Sequence, residues 1–209
     1  MKRKVKDRNM AVKIDISKSF DTIRWSFLLT ILRIHGFSQR FLDFVGAILS
    51  YARLYILVNG SPSGFFQCSR GVRQVDPLSG MLFAITKDYL SWCLNDLANF
   101  GWYQQMIIGR DLCSPSHLLY GDDILLFGKA GKATISCING IFSHYEEVFG
   151  QVINWRKSYV YFGDGVTISR QNRTLMKLGV KRGSLPFIYL GVSLFWGRGK
   201  ISHFENITL

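Results

Sequence analysis

Acidic side chains are scarce in this chain: 14 Asp and Glu stand against 26 Lys and Arg, for a formal net charge of +12. That deficit favours a polyanionic partner, either nucleic acid or an anionic membrane surface, without choosing between them. Cysteine is sparse too. Cys68, Cys93, Cys113 and Cys137 include no C-x-x-C pair, which excludes a zinc framework or dithiol motif and gives no sign of a secreted disulfide scaffold. His35, His117, His144 and His203 are scattered and suggest no ligand cluster. No apolar run approaches the ~18 residues of a membrane-spanning helix. The opening MKRKVKDR carries no apolar segment after it, so no signal peptide is read. No helix sets Lys and Arg opposite a strongly apolar face, so a membrane surface is the weaker choice of polyanion. The expected setting is intracellular, nuclear or cytoplasmic.

What is present is enough apolar material for a core: 48% of 209 residues are hydrophobic, which bounds the chain to one globular domain with at most a small appendage. Val12, Ile14 and Ile16 alternate with Lys13 and Asp15, so 11–16 reads as a strand with a carboxylate near its end. Ile23, Phe27, Leu28, Ile31 and Leu32 then form a helical stripe that Gly36 can stop. Ser38 can cap a second helix with Phe41, Leu42, Val45, Ile48 and Leu49 on one side. Residues 53–68 read as a hairpin turning over 59–64. Asp76 and Pro77 suit the cap and first position of a long helix whose inner face is Leu78, Leu82, Ile85, Tyr89, Cys93 and Leu97. A second hairpin lies around Tyr120-Gly121-Asp122-Asp123. A helix bearing Ile135, Ile138, Phe142, Tyr145 and Phe149 follows, ending at Gly150. A strand over 159–162, a short helix over 170–178 and an apolar stretch over 185–192 complete the chain. With no repeat, low-complexity tract or linker, the economical fold is one continuous α+β domain.

The chemistry concentrates in the hairpin around Asp122 and Asp123. Apolar runs on both sides of a Gly-Asp corner are a hairpin signal, and two adjacent carboxylates repel unless a cation or proton intervenes. Mg²⁺ takes such oxygens readily; the plain alternative is that Asp-Asp is ordinary turn chemistry. If the strand ending at Asp15 neighbours this hairpin in one sheet, three carboxylates converge. Such a triad can hold two metal ions roughly 3.5–4 Å apart for phosphoryl or nucleotidyl transfer.

Five blocks carry a resemblance. Lys13-Ile14-Asp15-Ile16-Ser17-Lys18-Ser19-Phe20-Asp21 resembles the first catalytic motif of reverse transcriptases from LINE-type (non-LTR) retrotransposons, plant ones especially. Asn59 to Phe66 with Arg70 to Ser79 resembles the second block, and Tyr120-Gly121-Asp122-Asp123 the Tyr-x-Asp-Asp motif. Gly150 to Asn154 with Lys157-Ser158, and Leu185 to Val192, are similar to the two that follow. The resemblance implies a polymerase palm, an antiparallel sheet backed by helices, over 11–195. A basic segment over 1–10 and the start of a thumb or tail over 196–209 would flank it. It further implies an RNA-directed DNA polymerase working with two Mg²⁺ ions, or Mn²⁺, on an RNA template, a DNA primer and deoxynucleoside triphosphates. Asp15, Asp122 and Asp123 would be the metal ligands. Phe20 would exclude a 2′-hydroxyl, Gln74 would lie near nucleotide and template, Arg70 and Arg73 would contact phosphates, and Lys157 would approach the triphosphate.

Three departures from the family pattern bear on activity. Val75 stands where the family has Gly, and a β-branched residue there is expected to crowd the nucleotide or template. The expected fingers before the first motif, the thumb after the last, and an endonuclease domain are not seen. Ser193 replaces the usual Pro. The expectation is therefore a palm core that is weakly active or inactive as it stands, or else a catalytically silent remnant that only binds nucleic acid. A nucleotide cyclase, the third possibility, does not account for the block around 59–79.

Overall fold

A computed structural model describes residues 8–74, 76–108 and 112–195. Val75, and with it the expected crowding, lies outside the described residues, as do 1–7 and 196–209 of the two expected flanking segments. Val12, Ile14 and Ile16 are buried as the alternation requires. Their strand, however, is two: β1 (Asn9–Ile14) and β2 (Ile16–Ser17), interrupted at Asp15. Helix α1 (Trp25–Ile34) ends as anticipated at Gly36, whose φ of 85° lets its N–H donate to the Arg33 carbonyl and the Phe37 N–H to the Leu32 carbonyl. That pair of bonds is the left-handed helix stop that glycine favours. In α2 (Gln39–Tyr51) the Ser38 hydroxyl accepts from the Phe41 N–H.

Strands β3 (Arg53–Val58) and β4 (Ser61–Gln67) pair with a tighter turn than the sequence suggested. Asn59 and Gly60 both take positive φ and close it alone, as a two-residue hairpin turn demands. Gly64 is absorbed as a bulge opposite Tyr55 and Ile56. Helix α3 (Pro77–Asn99) starts where Asp76 caps it, its Oδ1 accepting from the Leu78 N–H at 2.9 Å. Its most buried face differs from the expected one. Ser79, Phe83, Thr86, Lys87, Leu90 and Leu94 join Leu82 inside, while Leu78, Ile85, Tyr89, Cys93 and Leu97 are half-buried. The helix has neighbours on more than one side, packing against α1 and against later elements, so a single-stripe reading could find only one flank.

Short strands β5 (Ile107–Ile108) and β6 (Leu112–Cys113) precede the hairpin β7 (His117–Tyr120) and β8 (Asp123–Lys129). Then come α4 (Lys132–Phe149), β9 (Val152–Ile153), a 3₁₀ turn over Trp155–Lys157, β10 (Tyr159–Phe162) and α5 (Ile168–Leu178). Strands β11 (Lys181–Arg182), β12 (Phe187–Tyr189) and β13 (Val192–Leu194) close the described chain. The main sheet runs β11-β10-β1-β8-β7, antiparallel except for β10 with β11. The α+β expectation of an antiparallel sheet backed by helices therefore holds.

Two cores hold these layers. Met10, Val12, Ile14, Ile124, Leu126 and Val160 of the sheet cluster with Leu90 and Leu94 of α3 and with Ile135, Ile138, Phe142 and Tyr145 of α4. Leu28, Leu32, Leu42, Val45, Leu49, Val72 and Phe83 join α1, α2 and the start of α3 in the second. Full burial of each such aliphatic side chain contributes ~1.5–3 kcal/mol. The β3–β4 hairpin belongs to neither, and Tyr55, Ile56, Leu57, Val58, Phe65 and Phe66 are exposed.

Candidate active site

Asp15 sits where the main sheet changes partner. Before it, β1 pairs with β10 in the register Lys13↔Tyr159; after it, β2 pairs with β9 in the register Ile16↔Ile153. The intervening 3₁₀ turn takes up the extra residues between β9 and β10. A closed ring of hydrogen bonds fixes the backbone there. The Asp15 N–H donates to Ser158 Oγ at 3.1 Å, the Ser158 hydroxyl donates to the Asn154 carbonyl at 2.9 Å, and the Asn154 N–H donates to the Asp15 carbonyl at 2.8 Å. The Asp15 side chain is half-buried.

The β7–β8 hairpin closes with Tyr120 opposite Asp123, leaving Gly121 and Asp122 as the two turn residues. Gly121 has φ 56°, which a tight two-residue turn needs at its first position. The β1–β8 register runs Lys13↔Leu125, Ile14↔Ile124. Ile14 and Ile124 are the last pair, so Asp15 follows β1 directly and Asp123 precedes Ile124 at the same end of the two strands. The three carboxylates predicted to act together are thus carried to the same end of adjacent central strands.

One charge at that end is compensated from within. Lys13 Nζ lies 3.2 Å from Asp123 Oδ1, both side chains being partly buried, and 5.9 Å from the centre of the Tyr189 ring. Burial, and then the nearby Asp123 charge, push the Tyr189 hydroxyl above its ordinary pKa. Among the described residues no group of three or more His, Cys, Asp or Glu side chains is gathered closely enough to hold a metal ion. The donor type is nonetheless one that a hard divalent cation takes, carboxylate oxygen, and the Lys13 ammonium places a positive charge against one of these carboxylates.

The other predicted residues fall into two groups. Phe20 is half-buried with its ring stacked on Phe83, centroids 4.3 Å apart and planes 6° from parallel. It lines a cleft of about 660 Å³ with Phe83, Lys87, Tyr120 and Gly121, so it faces the hairpin side. Arg70, Arg73 and Gln74 line a different cavity, of about 610 Å³, between α2, β3 and the start of α3. The loop bearing them is stitched to the turn after β2. The Gly71 N–H donates to the Ile23 carbonyl, the Val72 N–H to the Phe20 carbonyl, and Trp25 Nε1 donates to the Gly71 carbonyl at 2.7 Å. Lys157 is exposed on the 3₁₀ turn beside the ring that holds Asp15.

Sequence reasoning missed a buried polar chain beneath the cleft. Lys87 Nζ donates to the Tyr145 hydroxyl at 2.8 Å, Tyr145 donates to Gln151 Oε1, and Gln151 Nε2 donates to the Ser19 carbonyl. Burial pulls the Lys87 pKa down to about 7, against the pull of the Asp122 charge that raises it. A signal was available, because Lys87 interrupts an otherwise apolar helical series of Phe83, Leu90 and Leu94. Lys13 could likewise have been suspected, since it alternates with Asp15 on the polar side of the 11–16 pattern.

The family model described as reverse transcriptase (RNA-dependent DNA polymerase) matches residues 1–194. A stretch of 115 residues, 55% of the chain, is 33% identical to the retrovirus-related Pol polyprotein from a type-1 retrotransposable element R2 of Popillia japonica, and spans 18% of that protein. A stretch of 77 residues, 37% of the chain, is 34% identical to the corresponding type-2 element polyprotein of Drosophila melanogaster, and spans 7% of it. Among solved structures, apo telomerase from Candida tropicalis superposes with a TM-score of 0.62 at 14% identity, over 93% of this chain and 32% of that one. Telomerase from Candida albicans in complex with a fragment of telomeric RNA gives 0.60 at 14% identity, over 88% and 30%. At that identity the likeness is one of fold.

Proposed function

Because the chain belongs to the reverse transcriptase family, in its non-LTR retrotransposon branch, we propose that it carries the catalytic palm of an RNA-directed DNA polymerase, with Asp15, Asp122 and Asp123 as the ligands of divalent metal. The observation that supports this reading is the β1–β8 register, whose last pair, Ile14↔Ile124, adjoins Asp15 on one strand and Asp123 on the other. When bound, a pair of Mg²⁺ or Mn²⁺ ions lowers the pKa of an attacking hydroxyl and offsets charge on the triphosphate. The chain's own residues do the positioning. Ser158 and Asn154 hold the Asp15 backbone, and the tight turn at Gly121 presents Asp122. The Phe20 ring, kept flat against Phe83, leaves no room for an extra sugar oxygen. Lys157 brings a point charge to the triphosphate, Arg70 and Arg73 take backbone phosphates, and Gln74 lies beside the nucleotide and template. The partners in this reading are an RNA template, a DNA primer and deoxynucleoside triphosphates.

A second reading has a specific observation behind it. Lys13 engages Asp123 at 3.2 Å, and a carboxylate so neutralised is a poorer metal ligand, as in a silent remnant that only binds nucleic acid. Extension of a DNA primer annealed to RNA, with Mg²⁺ or Mn²⁺, separates the two. Product that grows with time supports the polymerase. Binding of the same duplex without extension in either metal supports the remnant.

A further inference from the structure

At the pole of the sheet away from the carboxylates, five cations surround one cavity. β1 begins and β8 ends there, and the seven residues of β8 put it ~20 Å from Asp123 at ~3.3 Å per residue. The cavity, of about 480 Å³, is lined by Arg8, Lys132, Arg170, Arg173 and Lys177, with no acidic side chain among its walls. Arg170, Arg173, Thr174 and Lys177 follow the i, i+3, i+4, i+7 spacing of one helix face, so α5 turns a cationic ridge towards α4. The walls are anchored. The Ala130 N–H donates to the Arg8 carbonyl at 2.7 Å, and Arg170 Nη1 donates to the Ala130 carbonyl at 3.4 Å. The cavity also takes in Gly131 and Lys132 at the start of α4, an 18-residue helix with no side-chain cap and no acidic residue in its first turn. Its unpaired N–H groups add positive potential in the same place. Among the described residues none of the five cations has an ion-pair partner.

We propose that this cavity is a second, non-catalytic nucleic-acid site that takes the phosphodiester backbone of a strand separate from the one at the carboxylates. Like charges gathered without counter-ions cost stability unless an anion joins them. The α5 ridge spans seven residues at ~1.5 Å each, ~10 Å, the rise of about three phosphates along one strand of a duplex. A strand fits that length better than a single anion does. The site is independent of polymerase activity.

The test is fluorescence anisotropy of a labelled 20-mer RNA, single-stranded and as a duplex, titrated at several salt concentrations. It compares the intact chain, the double variant Arg173→Gln/Lys177→Gln and a control, Arg33→Gln/Arg40→Gln, which removes two exposed cations from α1 and α2. All four positions are exposed, and melting temperatures confirm folding. The site variant is expected to lose ~10-fold in affinity near 0.1 M salt and to flatten the log K against log salt slope by ~1.8 on the duplex and ~1.4 on the single strand, with little change in the control. Equal losses in both variants, or an unchanged slope in the site variant, overturn the proposal. So does a site that takes another phosphate source. That result would be inorganic tripolyphosphate raising the melting temperature of the intact chain but not of the site variant, or phosphatidylserine vesicles losing only the site variant, while RNA binding is untouched.

Discussion

Lys13 is paired with Asp123 and Lys87 feels the charge of Asp122, and each yields a prediction. Removing the Lys13 ammonium, 3.2 Å from Asp123, leaves neighbouring carboxylates uncompensated until a cation arrives. Lys13→Gln should therefore melt lower than the intact chain in EDTA and gain more from millimolar Mg²⁺, as read by differential scanning fluorimetry. An equal Mg²⁺ response in both proteins would contradict it. Lys87 titrates near pH 7 when folded and near 10.5 when unfolded. Between those values the unfolded chain binds the extra proton, so stability rises with pH. The charging penalty is full below pH 7 and fades towards 10.5. Lys87→Met removes it, and the Tyr145 hydroxyl still donates to Gln151. The variant should thus be more stable than the intact chain at pH 6, by roughly a few kcal/mol, with the gain shrinking by pH 9. Urea titrations at the two pH values measure this.

The loop that carries Arg70, Arg73 and Gln74 depends on a close approach that only glycine permits. Gly71 has φ 84°, and a Cβ there would lie 2.6 Å from the Asp21 carbonyl oxygen. At Gly60, φ is 80° but nothing lies within 4 Å of such an atom. Gly60→Ala should then cost only the ~1–2 kcal/mol of the left-handed conformation. Gly71→Ala should cost distinctly more and uncouple the loop from the Phe20 turn, a ranking that urea midpoints test. Elements of this kind were unevenly legible beforehand. The stop at Gly36, the caps at Ser38 and Asp76, the helix ending at Gly150 and the 120–123 hairpin all rest on local chemistry, and sequence displays local chemistry. The break at Asp15 arises because β9 and β10, more than 135 residues away, offer two registers. The Lys13–Asp123 and Lys87–Tyr145 contacts also join distant segments, and no periodicity encodes a long-range partner. Composition did not announce the exposed β3–β4 hairpin either, since its Val, Ile, Tyr and Phe residues are those of an ordinary buried strand.

At the scale of the molecule, an excess charge of +12 and the negative charges of Asp15, Asp122 and Asp123 towards one end of the sheet pull in different directions. The first attracts any polyanion, and the second repels a phosphate unless something positive lies between. Binding and chemistry should therefore separate under a single substitution. Asp122→Asn removes one negative charge from the exposed turn, which leaves the long-range attraction intact. In the polymerase reading it also deletes an oxygen donor from the metal set. The expected outcome is a loss of primer extension on the order of 10³-fold, the equivalent of several kcal/mol of charge stabilisation. Affinity for the same RNA–DNA duplex should stay within about twofold, and the slope of log K against log salt should not change, because no phosphate contact is lost. Extension assays beside anisotropy titrations read both quantities on one preparation. Were extension to survive the substitution, the carboxylates could not be the seat of the reaction. Were duplex affinity to collapse instead, Asp122 would be holding the hairpin together rather than serving chemistry.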